Sequence, residues 1–97
     1  MNISELSASS GRASEFLKSL ANPQRLRILC LIIEGERPVG EIAETIGANQ
    51  SSVSQNLALM RREGLVVPRR DGQTIYYRLA DKNVVKIFKL LSDMFCK

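Results

Sequence analysis

The sequence contains no histidine and no tryptophan, and only two of its 97 residues are cysteine. Without histidine the chain lacks Ser-His and Cys-His nucleophile pairs, imidazole metal ligands and the commonest general base. Two cysteines cannot supply the three or four nitrogen or sulfur ligands of a transition-metal site within one chain. A site shared between two chains stays open, with no feature in its favour. We therefore expect neither an enzyme nor a metal sensor, and no cofactor.

Long apolar runs are also missing. The longest covers residues 28–33, far short of the roughly 20 residues that span a bilayer. Residues 1–10 lack the charged start and the apolar stretch of a secretory signal. These absences predict a cytoplasmic protein that makes no membrane contact. In that compartment Cys30 and Cys96 are expected to be reduced thiols at rest and not structural disulfides.

The basic charge lies mainly in the second half of the chain. Residues 1–50 contain five Lys and Arg against six Asp and Glu, whereas residues 51–97 contain nine against four. A localised basic excess predicts an anionic partner surface such as double-stranded DNA. The length fits a single domain over residues 1–97, with residues 1–10 as a flexible or frayed N-terminus.

Capping residues and apolar spacing predict four helices before residue 65. The first has apolar residues at positions i, i+3, i+4 and i+7, namely Ala13, Phe16, Leu17 and Leu20. The second begins after Asn22 and ends at Gly35; it is apolar nearly all round, which predicts a central position. A third helix covers residues 39–46, and a fourth begins after Asn49 and ends at Gly64. Only about three residues separate these last two helices, which is typical of a helix-turn-helix.

A β-hairpin and a last helix are predicted for the remaining chain. Two extended segments, 65–70 and 74–79, flank Asp71-Gly72, and Asp-Gly is a strong signal for a tight hairpin turn. Pro68 cannot donate to a strand ladder, so the first strand is at an edge or short. The last helix, from about residue 81 onward, has more apolar residues than one core-facing stripe needs. This order predicts a mainly α fold, a winged helix-turn-helix with an added helix at each end.

Polar side chains on the fourth helix and the hairpin suit DNA recognition. Away from the inner stripe of Val53, Leu57 and Met60, the helix carries hydroxyl and amide groups that can bind base edges and phosphates. The N-terminus of a helix also attracts anions. The predicted DNA contacts are Gln50, Ser51, Ser52, Ser54, Gln55, Asn56, Arg61, Arg62, Arg69, Arg70, Gln73 and Thr74, with Arg78 beside the hairpin. Any one of these residues alone is equally well explained as a solvated surface group.

Several segments together resemble the ArsR/SmtB family of bacterial repressors. They are residues 21–29, 39–43, 50–57, 61–66 and 70–77, so that the similarity covers about residues 15–96. The resemblance implies a homodimer built on the terminal helices, which would explain the surplus apolar face of the last helix. It also implies binding to a palindromic operator and release when an inducer is sensed. Many relatives have histidine at the position of Asn56, which leaves the identity of the operator open.

The two cysteines resemble those of the HlyU/BigR/SqrR subgroup in local context and in their 66-residue separation. Where metal-sensing relatives have Cys-Val-Cys, this chain has Pro38-Val39-Gly40. The resemblance to this subgroup implies that oxidation or reactive sulfur links the two cysteines by a disulfide or polysulfide bridge. DNA is then released. The chemistry is consistent, because a thiolate attacks sulfane sulfur and a second thiol resolves the persulfide. Lys97 beside Cys96 would weakly favour the thiolate.

Three other interpretations stay open. Cysteine is among the most buried residue types, so Cys30 and Cys96 can be purely structural in a regulator with another inducer or none. A winged helix can also be a protein-interaction module, whose binding would depend little on salt, whereas contacts to several phosphates give a steep dependence. A thiol oxidoreductase would have to turn over a disulfide or polysulfide substrate. For that reaction the chain has neither Cys-X-X-Cys nor a proton-transfer partner.

Overall fold

The computed structural model describes residues 1–96 and arranges them as six helices and a three-stranded sheet. The helices are α1 (Ile3–Ala8), α2 (Ser10–Leu20), α3 (Pro23–Glu34), α4 (Val39–Ile46), α5 (Gln50–Arg62) and α6 (Asn83–Phe95). The strands are β1 (Arg37–Pro38), β2 (Val66–Asp71) and β3 (Thr74–Leu79). This order confirms the predicted winged helix-turn-helix, with α4 and α5 as the helix-turn-helix and β2 and β3 as the wing.

Helix α3 lies at the centre of the fold. It begins after Asn22, whose side-chain oxygen accepts hydrogen bonds from the amides of Gln24 at 2.9 Å and Arg25 at 3.2 Å. Three of its side chains are at most 2% exposed, namely Ile28, Leu29 and Ile32. Helices α4 and α5 and strand β3 all contact it. The central position predicted from its apolar character is confirmed.

The turn between α4 and α5 consists of residues 47–49. Gly47 has a φ of +68°, in the left-handed region that favours glycine. The Asn49 side chain then caps α5, accepting hydrogen bonds from the amides of Ser51 at 2.8 Å and Ser52 at 3.3 Å. The predicted inner stripe of α5 is fully buried and consists of Val53, Leu57 and Met60. The opposite face of α5 is therefore directed toward solvent.

Strand β3 occupies the middle of an antiparallel sheet with the order β1-β3-β2. The hairpin turn follows Asp71, which pairs with Thr74, and Gly72 in the turn has a φ of +63°. Strand β2, which contains Pro68, is an edge strand, as predicted. The sequence did not predict β1, because its two residues are too few to show an alternating pattern.

The N-terminal residues form a helix, and none of its side chains packs into the core. Helix α1 is capped by Asn2, and none of its residues is buried. The fraying predicted for residues 1–10 thus stays a prediction. Within residues 1–96, no helix is long and apolar enough to cross a membrane.

We predict that Asn49→Ala destabilises the protein by about 1 kcal/mol, because two amides at the start of α5 lose their acceptor. Equilibrium denaturant unfolding measures this change. Ser54→Ala, on the exposed face of the same helix, is the control and should change the free energy of unfolding by less than about 0.5 kcal/mol. Equal effects of the two substitutions would show that the cap does not stabilise α5.

Candidate DNA-binding surface and cysteine groove

The exposed face of α5 carries four of the predicted DNA contacts: Gln50, Ser51, Ser54 and Gln55. They stand on the first two turns of the helix, close to the amide groups of its N-terminus. Helix N-termini bind anions, and hydroxyl and amide groups both donate and accept hydrogen bonds. This face is therefore chemically suited to phosphates and base edges.

Ser52 and Asn56 are arranged differently from these four residues. Both are half-buried and bond to the start of α3. The Nδ2 of Asn56 donates to the Oε1 of Gln24, and the hydroxyl of Ser52 donates to the same oxygen at 3.1 Å. The Oδ1 of Asn56 accepts from the Nε of Arg25 at 3.1 Å. The structure therefore joins these two predicted contacts to α3 and separates them from the exposed face.

Arg25 extends this arrangement to the far end of α5. Its side chain is only 13% exposed, and its Nη1 donates to the Ser19 carbonyl at 2.9 Å and pairs with the Glu63 carboxylate at 3.3 Å. Sequence reasoning missed Gln24 and Arg25 as partners of α5. A usable signal was present, because Ser52, Asn56 and Glu63 stand at i, i+4 and i+11, which is one polar stripe beside the apolar one.

The wing presents its two neighbouring arginines in different ways. Arg69 binds the Glu36 carboxylate through its Nη2 at 2.7 Å and its Nε at 3.1 Å, and its guanidinium lies 4.6 Å from the centre of the Tyr76 ring. The hydrogen bonds from Arg69 stabilise the ionised carboxylate and hold the pKa of Glu36 below its usual value. Arg70 is exposed and forms no ion pair with any residue from 1 to 96.

The other predicted basic and polar contacts lie on exposed positions around these elements. Arg61 and Arg62 are in the last turn of α5, Gln73 and Thr74 are at the hairpin turn, and Arg78 is on β3. The exposed arginines of this set give the end of α5 and the wing a basic surface, namely Arg61, Arg62, Arg70 and Arg78. Such a surface attracts the phosphate backbone regardless of sequence.

Cys30 and Cys96 line the same groove between α3 and α6. The groove has a volume of about 630 Å³. Its walls are mostly apolar and include Leu26, Ile33, Val85, Phe88, Leu91 and Phe95. Both cysteines are free thiols, and both residues are exposed. The structure therefore brings together two residues that are 66 positions apart in the chain.

The environment of the Cys30 thiol disfavours its ionised form. Partial burial in the groove raises the pKa of Cys30, and the nearby Cys96 and Glu34 raise it further through charge repulsion. Lys97, which was expected to favour the Cys96 thiolate, lies outside the described part of the chain. Within residues 1–96, no three cysteine, aspartate or glutamate side chains are grouped so as to hold a metal ion.

Comparison with known proteins identifies the family. The model of the arsR family of bacterial regulatory proteins matches residues 22–67. The transcriptional activator HlyU of Vibrio cholerae is 39% identical over 97 residues, which are all of this chain and 90% of that protein. The biofilm growth-associated repressor of Xylella fastidiosa is 33% identical over 96 residues, 99% of this chain and 84% of that protein.

Solved structures agree with this assignment. The Xylella fastidiosa transcriptional repressor BigR superposes with a TM-score of 0.94 at 33% identity, covering 100% of this chain and 99% of that one. Reduced HlyU from Vibrio cholerae gives a TM-score of 0.86 at 39% identity, with coverages of 96% and 98%. A winged helix-turn-helix domain from Mycobacterium bovis, described as homodimeric, gives 0.77 at 39% identity, with coverages of 91% and 82%.

These relatives are winged-helix transcriptional regulators, and the resemblance seen in the sequence, including that to HlyU and BigR, is confirmed. The chain is accordingly a transcriptional regulator and not an enzyme. It belongs to the arsR family of bacterial regulatory proteins.

Proposed function

We propose that this regulator is a homodimeric repressor whose DNA binding is switched by sulfur chemistry at Cys30 and Cys96. With both thiols reduced, the dimer binds a palindromic operator; when they are oxidised or bridged by reactive sulfur, it releases the DNA. The observation that carries the proposal is that both cysteines, free and exposed, line one groove. In the cytoplasm such thiols stay reduced until an oxidant or sulfur donor reaches them.

The terminal helices support a homodimer. Large apolar side chains on α1, α2 and α6 that lie outside the groove are more than half exposed, namely Ile3, Leu6, Leu17, Leu90 and Met94. Exposed apolar side chains of this size are typical of an interface. At 100° per residue, Leu90 and Met94 lie on the opposite side of α6 from Val85 and Ser92, which face the groove. A dimer formed through Leu90 and Met94 therefore leaves the cysteine groove open.

Two-fold symmetry explains why a palindromic operator is expected. In a dimer, each α5 would enter the major groove of one half-site, and the two half-sites would lie about one DNA turn apart. The exposed face of α5 then meets base edges, while Arg61 and Arg62 of its last turn and Arg70 of the wing lie beside phosphates. Arg69, also expected from the sequence as a DNA contact, is bound to Glu36 instead. The name of the Xylella fastidiosa relative as a repressor supports repression, whereas the Vibrio cholerae relative is named an activator.

The switch needs two balanced thiol reactions. One cysteine thiolate attacks the outer sulfur of a donor R–S–SH, the bond between the two donor sulfurs breaks, and R–S⁻ leaves. The second thiolate then attacks the cysteine sulfur of the new persulfide, which gives a disulfide bridge and releases HS⁻. The two protein thiols are thereby oxidised by two electrons, and the sulfane sulfur is reduced to sulfide.

A bridge between Cys30 and Cys96 would tie α3 to α6. Helix α3 is buried on several sides, whereas α6 has one buried residue, Val84. We therefore expect α6 to move when the bridge forms. Because α6 contributes to the proposed dimer interface, its movement changes the relative orientation of the two α5 helices, which then no longer match the half-sites.

We predict that Arg70→Ala weakens operator binding and lowers the slope of log affinity against log salt by about 0.9 for each phosphate contact that is lost. Fluorescence anisotropy over a series of salt concentrations measures both effects.

Lys86→Ala, which removes the same charge from α6, is the control and should leave the slope unchanged. The double variant Glu36→Ala/Arg69→Ala removes a neutral pair and should also leave it unchanged. A wild-type slope for Arg70→Ala would contradict the assignment of Arg70, and a slope lowered by the double variant would show that Arg69 contacts phosphate as well.

We predict that Cys30→Ser and Cys96→Ser each keep operator binding but abolish its release by polysulfide, because neither variant can form the bridge. Anisotropy with labelled promoter DNA, before and after polysulfide treatment, tests this prediction. Wild-type protein treated with polysulfide and then reductant should recover full binding.

Other results would contradict the switch directly. Release that persists in both single variants would show that another group senses the sulfur donor. Wild-type binding that is indifferent to polysulfide and to a disulfide-forming oxidant would make both cysteines structural. Binding with little salt dependence would indicate a protein-interaction module.

A further inference from the structure

The hydrogen bonds between α3 and α5 have a fixed direction. An arginine side chain only donates, so the Asn56 atom that faces Arg25 must be its oxygen. The Asn56 nitrogen consequently faces Gln24 and donates to the Gln24 oxygen. Since that oxygen only accepts, the hydroxyl of Ser52 must donate to it as well. The guanidinium, which only donates, thus sets the donor or acceptor role of every member of the network.

This direction limits what Ser52 and Asn56 can offer to DNA. The proton of Ser52 and one amide proton of Asn56 are already donated inward, and the Asn56 oxygen already accepts from Arg25. Withdrawing these groups toward DNA would leave half-buried partners without hydrogen bonds, which is costly. The exposed residues Gln50 and Gln55 carry no such restriction from Gln24 or Arg25.

The network also helps to fix the orientation of α5 relative to α3. It holds the helix at its first turn through Ser52, at its middle through Asn56 and at its C-terminal end through the ion pair of Arg25 with Glu63. Three points along one helix face fix both its rotation and its tilt. A shift of about 1 Å at a recognition surface is enough to weaken directional hydrogen bonds.

We propose that Gln24 and Arg25 are positioning residues for DNA recognition, and that Ser52 and Asn56 act with them to orient α5 instead of reading bases. Base reading then belongs to the exposed face of α5. This inference rests on the proposed function, because it assumes that α5 enters the major groove. It divides the predicted contacts into those that read DNA and those that hold the reading helix in place.

A double-mutant cycle on Gln24 and Asn56 tests the proposal. Reduced wild-type protein first selects a duplex from a randomised library. The affinities of wild type, Gln24→Ala, Asn56→Ala and the double variant are then measured for that duplex and for a scrambled duplex of equal composition. Melting curves establish that each variant is folded at the assay temperature. If Asn56→Ala does not fold, Ser52→Ala, which removes a single hydrogen bond, replaces it in the cycle.

Each single substitution should reduce the preference for the selected duplex by about fivefold to tenfold, the equivalent of one or two hydrogen bonds. The double variant should lose no more than about twofold beyond either single variant, because both break the same network. Affinity for scrambled DNA should stay within about twofold of wild type, since phosphate contacts supply it. Gln55→Ala is the matched control, and its effect should multiply with that of Gln24→Ala.

Two results would overturn this inference and leave the proposed operator binding intact. Effects of Gln24→Ala and Asn56→Ala that multiply fully would show that Asn56 contacts DNA independently. An equal loss of affinity for selected and scrambled DNA would show that the network supports only general folding. If the wild-type protein selects no sequence at all, the proposed operator binding fails first and the inference falls with it.

Discussion

The burial of α3 is the constraint on which the other elements depend. Its apolar side chains extend nearly around the helix, so a stable fold must cover it on several sides with α4, α5 and β3. Ile28 and Leu29 are completely buried, and each such side chain contributes about 1.5–3 kcal/mol of burial free energy. The placement of the helix-turn-helix and the wing follows from this requirement.

The same helix also connects the candidate DNA-binding surface with the cysteine groove. Arg25 at its start binds α5, and Cys30 lies roughly 7.5 Å further along the axis, on the groove shared with α6. A helix packed on several sides transmits a displacement as a rigid body rather than bending. Cys30 and the Arg25 contact to α5 are therefore two positions on one rigid element, whereas α6 has a single buried residue, Val84.

Local sequence signals predicted much of the fold, because its boundaries are set by local chemistry. Asn22 and Asn49 cap their helices with short-range hydrogen bonds, and Asp71-Gly72 forms the turn that it favours in isolation. By contrast, contacts between distant residues were not predictable. The Glu36–Arg69 pair spans 33 positions, and the Gln24–Asn56 pair spans 32. The polar stripe that contains Asn56 indicates a polar neighbour for α5, but no pattern identifies that neighbour as Gln24, and none links Glu36 to Arg69.

The candidate site shows the same division. The sequence predicted that Ser52 and Gln55 share the polar face of α5, because both lie outside the apolar stripe. Which of them faces α3 depends on how α5 rotates in the assembled fold, and only the structure shows this. The nearness of Cys30 and Cys96 was implied by resemblance alone, because residues on α3 and α6 meet only through tertiary packing.

The most direct test of the account is the distance between the two α5 helices of the proposed dimer in its reduced and bridged states. Leu59, which is exposed on α5, can be replaced by a ketone-bearing amino acid and spin-labelled without using the native thiols. Pulsed electron paramagnetic resonance then gives the distance between the two labels. If the cysteines form the switch, polysulfide treatment changes the mean distance, reductant reverses the change, and Cys30→Ser shows no change. The same distance in both states would contradict the claim that the cysteines control the recognition helices.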